Sequence, residues 1–115
     1  GHRLSTTFEQ QEESSRAKVP SMIIQPLLEN AIKFGLYNVI GDVEITVDIR
    51  MVNYMLHITI TNPFDSDQFE TKKGTGFGLS SIKRRLFLLY SRTDLLETSI
   101  KDNIFTSTLK IPQYD

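Results

Sequence analysis

Two consecutive stretches of the chain alternate apolar and polar residues and are joined by only two residues. Apolar side chains occupy every second position over residues 43–51, and a second, more apolar run covers residues 54–62. A period of two turns one side of each stretch toward a core and the other toward water, which is typical of β-strands. The connection at Val52 and Asn53 predicts that the pair forms an antiparallel hairpin.

The remaining strands follow from the same kind of pattern. Residues 95–101 and 104–111 form another alternating pair, separated by Asp102 and Asn103, and predict a second hairpin. Residues 5–11 are polar and Thr-rich around Phe8, which suits a short edge strand.

Two helices are predicted from apolar residues at helical spacing. The first covers residues 21–34, with Ser21 as its N-cap and Gly35 as a left-handed residue that ends it. Its apolar half, which is predicted to face the core, contains Ile23, Ile24, Leu27, Leu28, Ala31, Ile32 and Phe34. The second helix covers residues 78–90, with core positions at Leu79, Ile82, Leu86 and Leu89.

The elements add up to an α/β (α+β) two-layer sandwich, in which helices cover one face of a mixed, mostly antiparallel sheet. A length of 115 residues suits one domain, which we assign to residues 3–115, with Gly1 and His2 as a probable tag remnant. The formal net charge of -1 argues against a general nucleic-acid binder, and the lack of cysteine excludes disulfides and thiolate zinc sites. No apolar run is long enough to span a membrane.

A glycine-rich segment is the sharpest chemical signal. It reads Gly74-Thr75-Gly76-Phe77-Gly78-Leu79 and leads directly into the second predicted helix. Backbone N–H groups at such a place can bind phosphate, although a flexible hinge without a ligand is an equally good interpretation of the glycines alone.

Asn30 and Lys33 suggest a matching half-site on the first helix. The carboxamide oxygen of Asn30 is a suitable ligand for Mg²⁺, and Lys33 could add positive charge for phosphates. On spacing alone, a structural alternative is favoured, in which Asn30 bonds to a strand and Lys33 pairs with Glu29.

Taken together, two blocks of sequence resemble a known family. One block runs from Pro20 through Gln25-Pro26-Leu27-Leu28-Glu29-Asn30-Ala31-Ile32-Lys33 to Gly35, and the other from Gly74 to Leu86. They are similar to the N-box and the G2 box of the ATP-binding catalytic domain of LytS/YehU-type sensor histidine kinases, in the gyrase–Hsp90–histidine kinase–MutL superfamily.

The resemblance implies a Bergerat-type fold and a role for each matching residue. Asn30 would coordinate the Mg²⁺ bridging the ATP phosphates, and Lys33 would approach those phosphates. Residues 65–73 would form a lid, and Asn62 would stand where the family uses an Asp to read the adenine amino group. The backbone N–H groups that bind phosphate would come from the glycine-rich segment, Gly74, Thr75, Gly76, Phe77, Gly78 and Leu79.

The sequence departs from the family pattern in three places. Asn62 replaces the usual Asp, Pro63 and Phe64 replace an expected glycine region, and Phe34 stands in place of a histidine. The position of the general-base Glu of related ATP hydrolases is held by Pro26, which favours phosphate transfer over hydrolysis. Neither His2 nor His57 has the context of a phosphoacceptor.

The resemblance therefore implies a kinase domain that uses ATP and Mg²⁺, with its phosphoacceptor histidine on a dimerisation helix outside this chain. Expected partners are that helix domain and a response regulator, with no nucleic acid and no membrane contact. The expected location is cytoplasmic, as the C-terminal domain of a membrane-bound bacterial sensor. A non-catalytic docking module (a pseudokinase) is the alternative, and a serine-directed kinase such as an anti-sigma factor ranks below it.

Overall fold

A computed structural model describes residues 4–10, 17–38, 41–64 and 79–113 of the chain. These residues form a five-stranded sheet and two helices. The strands are β1 (Leu4–Gln10), β2 (Val43–Val52), β3 (Met55–Pro63), β4 (Leu96–Lys101) and β5 (Ile104–Pro112). The helices are α1 (Ser21–Asn38) and α2 (Ser80–Tyr90).

The sheet has the strand order β1-β2-β3-β5-β4. β1 pairs in parallel with β2 at one edge, and every other neighbouring pair is antiparallel. Both helices lie on one face. The predicted two-layer architecture and the edge position of the first strand are confirmed. Neither described helix is long and apolar enough to cross a membrane.

Both predicted hairpins are present, and both residues of each turn have a positive φ. Asp102 and Asn103 have φ of 53° and 60°, and Asn53 and Tyr54 have φ of 50° and 63°. Two successive residues with positive φ are typical of the type I′ turn, whose twist matches that of paired strands. The first turn lies one residue later than predicted, because Val52 still pairs with Met55.

The core lies between the sheet and the two helices. Alternate residues of the three central strands point into it, so the predicted inward faces of β2, β3 and β5 are correct at most positions. The fully buried side chains are Ile23, Leu27, Val43, Ile45, Leu56, Ile58, Ile60, Ile82, Leu86, Leu95, Leu109 and Ile111.

Gly35 does not end the first helix, which was the prediction, since α1 continues to Asn38. The glycine is buried at a place where the helix lies close to the sheet. A Cβ atom at this position would lie 2.9 Å from Cγ1 of Val43 and 3.4 Å from Cδ1 of Ile45. Gly35 therefore serves close helix–sheet packing and not helix termination.

Three smaller predictions about the helices are also corrected. The carbonyl of Pro20 accepts hydrogen bonds from the N–H groups of Ile23 and Ile24, so Pro20 and not Ser21 precedes the first helical residue. Phe34 is half-buried and outside the buried core cluster. Leu89 is 48% exposed, because the core-facing row of α2 runs through Ile82, Leu86 and Tyr90 and leaves Leu89 beside it.

Candidate functional site

The end of β3 buries a polar side chain on the same face as the apolar core. Asn62 continues the inward-facing series of Leu56, Ile58 and Ile60 and is 2% exposed. Its Nδ2 donates a hydrogen bond of 2.9 Å to the carbonyl oxygen of Pro63. When the Nδ2 group of an asparagine donates to the backbone, its side-chain oxygen can still accept a hydrogen bond.

The chain beyond Asn62 is held by the second hairpin. The N–H of Phe64 donates to the carbonyl of Asn103 over 2.8 Å, and the ring of Phe64 packs at 6.2 Å from that of Phe105. Pro63 and Phe64, which depart from the family pattern, thus form part of a buried aromatic wall beside Asn62. Pro63 is the last residue of β3.

Helix α1 brings its C-terminal half against this polar position. A Cβ atom on Gly35 would lie 3.6 Å from Cβ of Asn62. Asn30 precedes Gly35 by five residues, which corresponds to about 7.5 Å along a helix axis. Asn30 is half-buried, at the border between the core face and the exposed face.

Lys33 and Glu29 lie on the outer side of α1. Together with Ile32 and Leu36 they line a shallow cavity of about 250 Å³. Oε1 of Glu29 accepts a hydrogen bond from Nε2 of Gln25 over 3.3 Å. Among the described residues, no ion pair joins Glu29 to Lys33. The alternative role of Lys33, as the partner of Glu29, is therefore not observed in the described part of the chain.

Helix α2 packs beside α1, and two contacts indicate that it runs in the opposite direction. Tyr90, at the end of α2, lines a cleft together with Val19 and Pro20, which precede α1. Nη1 of Arg85 donates a hydrogen bond of 2.8 Å to the carbonyl oxygen of Met22 in the first turns of α1. The start of α2 therefore lies toward the C-terminal half of α1, where Asn30 is.

The structure describes some of the residues that the sequence predicts for the site, and the others lie outside the described residues. Asn62 is buried on the helix-covered face of the sheet, and Asn30 lies on α1, one of the two helices that cover that face. Leu79 is buried directly before the other helix, α2. The phosphate-binding positions Gly74, Thr75, Gly76, Phe77 and Gly78, and the lid at residues 65–73, lie outside the described residues.

Sequence reasoning assigned no role to the hydrogen bond between Arg85 and Met22, or to Gly35 as a packing residue. The sequence did contain a signal for the hydrogen bond to Met22, because a proline inside a helix leaves the carbonyl four residues earlier without its usual donor. Nothing in the sequence indicated which side chain would replace that donor.

The polar groups of Asn30 and Asn62 differ from those of a typical protein metal site. Among the described residues, no group of three or more His, Asp or Glu side chains could hold a metal. Asn30 and Asn62 offer neutral amide groups, which suit a Mg²⁺ ion already bound by phosphate oxygens and a base with an amino group.

Comparison with solved structures identifies the fold. The catalytic domain of histidine kinase ThkA, in a nucleotide-free form, matches 96% of this chain and 81% of its own length, with a TM-score of 0.69 and 19% identity. The fold is that of histidine kinase catalytic domains.

Two further structures give the same result. Histidine kinase AdeS from Acinetobacter baumannii matches 98% of this chain and 56% of its own length, with a TM-score of 0.64 and 14% identity. A complex of ThkA with the response regulator TrrA matches 96% of this chain and 34% of its own, with a TM-score of 0.61 and 16% identity. No protein-family profile and no curated protein matches the sequence.

Proposed function

We propose that this chain is the ATP-binding catalytic domain of a two-component sensor histidine kinase of the LytS/YehU type. It would position Mg-ATP for transfer of the γ-phosphate to a histidine on a dimerisation helix outside the chain. The observation that carries the proposal is that Asn62 is buried on the helix-covered face of the sheet, where Gly35 of α1, the helix that carries Asn30, packs against the end of β3.

Each described residue has one task in this proposal. The Asn62 oxygen would accept a hydrogen bond from the adenine amino group, because its Nδ2 is held by the Pro63 carbonyl. Asn30 would provide an oxygen ligand to the Mg²⁺ ion, which supplies charge neutralisation of the phosphates when bound. Lys33 would add positive charge from the outer side of α1.

The same proposal covers residues outside the described part of the chain. The backbone N–H groups of Gly74, Thr75, Gly76, Phe77 and Gly78 would bind the phosphates ahead of α2, at the positive end of its dipole. We further propose that a response regulator receives the phosphate and that the parent protein is a membrane-bound sensor with this domain in the cytoplasm.

Calorimetry with a non-hydrolysable ATP analogue tests the proposal. We expect saturable binding that requires Mg²⁺, and a melting temperature that rises with nucleotide, since a ligand at 100 times its Kd adds about 2.7 kcal/mol of stability. The absence of both signals at millimolar nucleotide would favour the non-catalytic docking module, which the replacement of the adenine-reading Asp by Asn62 also suggests.

A further inference from the structure

Helix α1 contains a proline well beyond its first turn. Pro26 lies five residues after the first helical residue, Ser21. A proline at such a position has no N–H to donate to the carbonyl four residues earlier, and its ring crowds that carbonyl. The carbonyl concerned is that of Met22.

The carbonyl of Met22 receives its hydrogen bond from the other helix. Nη1 of Arg85 donates to it over 2.8 Å, across 63 residues of sequence. A guanidinium donor is charge-assisted, so it is stronger than the amide N–H that the proline removes. The proline in α1 and the arginine in α2 are therefore complementary parts of one contact.

This contact lies on the ridge of α1 that also carries Asn30. Met22, Pro26 and Asn30 are spaced four residues apart, and residues at this spacing form one continuous row on a helix surface. Arg85 binds at the start of that row, which brings α2 next to the first residues of the row that carries Asn30.

The antiparallel direction of the helices extends the argument to their ends. Asn30 lies eight residues beyond Met22, or about 12 Å along α1, and Leu79 lies six residues before Arg85, or about 9 Å back along α2. Because the helices are antiparallel, both displacements point toward the C-terminal end of α1. The contact at Met22 thus fixes the start of α2 at nearly the same level as Asn30.

We infer that Arg85 is a positioning residue that uses the carbonyl freed by Pro26 to hold the start of α2 beside Asn30. The inference rests on the proposed function, because the groups being aligned are the metal-binding amide and the phosphate-binding helix start. Neither Arg85 nor Pro26 needs to touch the nucleotide in this role.

The test is a double-mutant cycle on Mg-ATP analogue affinity, measured by calorimetry at a temperature where every variant is folded. Arg85→Ala removes the donor and should weaken binding about fivefold, the size expected from one net hydrogen bond. Arg85→Lys keeps a charged donor and should recover part of the loss.

Two further variants complete the cycle and control for charge. Pro26→Ala restores an intrahelical N–H for the Met22 carbonyl, so Arg85→Ala in that background should change affinity less than about twofold. Arg84→Ala removes the same charge from an exposed neighbour on α2 and should also leave the affinity within about twofold of the parent.

The outcomes separate the inference from the proposed function. If the parent protein binds nucleotide but Arg85→Ala behaves like Arg84→Ala, or if its loss is unchanged in the Pro26→Ala background, the positioning role is wrong. If the parent protein does not bind nucleotide, the proposed function is wrong and the positioning role falls with it. A loss specific to Arg85 and relieved by Pro26→Ala supports both.

Discussion

Gly35 of helix α1 packs directly over Asn62 of strand β3: a Cβ atom on the glycine would lie 3.6 Å from the Cβ of the asparagine. The same virtual atom would lie 2.9 Å from Cγ1 of Val43, closer than carbon atoms normally approach. The absence of a side chain therefore allows the helix to approach the polar end of the sheet. A side chain at this position would press on Val43 and would also contact Asn62, the residue proposed to read adenine.

Gly35→Ala should destabilise the protein, although alanine is normally better than glycine inside a helix by about 1 kcal/mol. Val43 is β-branched and fully buried, so it cannot move aside freely, and overpacking of a core typically costs about 1–3 kcal/mol. Urea unfolding measures the net effect, which we expect to be a loss of about 1 kcal/mol. A gain in stability would contradict the close approach of α1.

Asn62→Asp should make stability depend on pH. The substitution places a carboxylate oxygen where Nδ2 now donates to the Pro63 carbonyl, in a side chain that is 2% exposed. Burial and the facing carbonyl should raise the pKa of the introduced carboxyl in the folded state. Its protonated form should then be tolerated at low pH, and stability should fall as the pH rises above the carboxyl's unfolded pKa near about 4.

Thermal unfolding of Asn62→Asp between pH 4 and pH 8 checks this expectation against the parent protein measured under the same conditions. A difference between the two proteins that is constant with pH would show that the folded protein does not raise the pKa of the introduced carboxyl.

Asn30→Ala should weaken Mg-ATP analogue binding without loss of stability. Asn30 is half-buried, and alanine is the better helix former, so the fold should tolerate the change. Loss of a metal ligand should reduce affinity by at least about tenfold. Calorimetry with and without Mg²⁺ measures the effect, and Glu29→Gln on the outer side of α1 is the matched control. Equal affinities for both variants would remove Asn30 from the site.

Leu86 and Leu89 offer a matched pair on helix α2. Leu86 is 2% exposed and Leu89 is 48% exposed, although both fit the apolar spacing of the sequence. Leu86→Ala should cost about 2–5 kcal/mol of stability through a buried cavity, whereas Leu89→Ala should cost well under half of that. Chemical unfolding of both variants provides the measurement. Similar losses would mean that Leu89 is buried after all.

Arg92 should control the titration of Asp94. Its Nε and Nη2 donate hydrogen bonds of 2.9 Å and 2.7 Å to the two carboxylate oxygens. These bonds lower the pKa of Asp94 below its ordinary value of 3.8. The pair therefore contributes to stability above the unfolded pKa of Asp94, and the contribution is lost as the pH falls through the lower folded pKa.

An NMR titration of the Asp94 carboxyl should show a rise of its pKa in Arg92→Ala. Arg50→Ala is the control, because Arg50 bonds to Asp48 within β2, whereas Asp94 lies between α2 and β4, so the titration of Asp94 should be unchanged. An unchanged Asp94 pKa in Arg92→Ala would show that the two side chains do not interact in solution.

The sequence by itself determined the strands, the hairpins, the two helices and their layer arrangement. Alternation with a period of two and apolar spacing near 3.6 residues report directly on burial, so Val43, Ile45, Ile82 and Leu86 could be assigned to the core from their neighbours alone. The N-box and G2-box residues likewise pointed to the histidine kinase fold.

Only the tertiary structure decided what depends on distances between elements. Periodicity could not show that Leu89 lies beside the core-facing row of α2, or that Gly35 lies inside α1 at a place where the sheet is too close for a side chain. It also could not pair Arg85 with Met22, because a carbonyl freed by Pro26 can be satisfied by any donor that packing brings within reach. Local patterns specify which face of an element is buried, whereas contacts between distant residues depend on how whole elements pack.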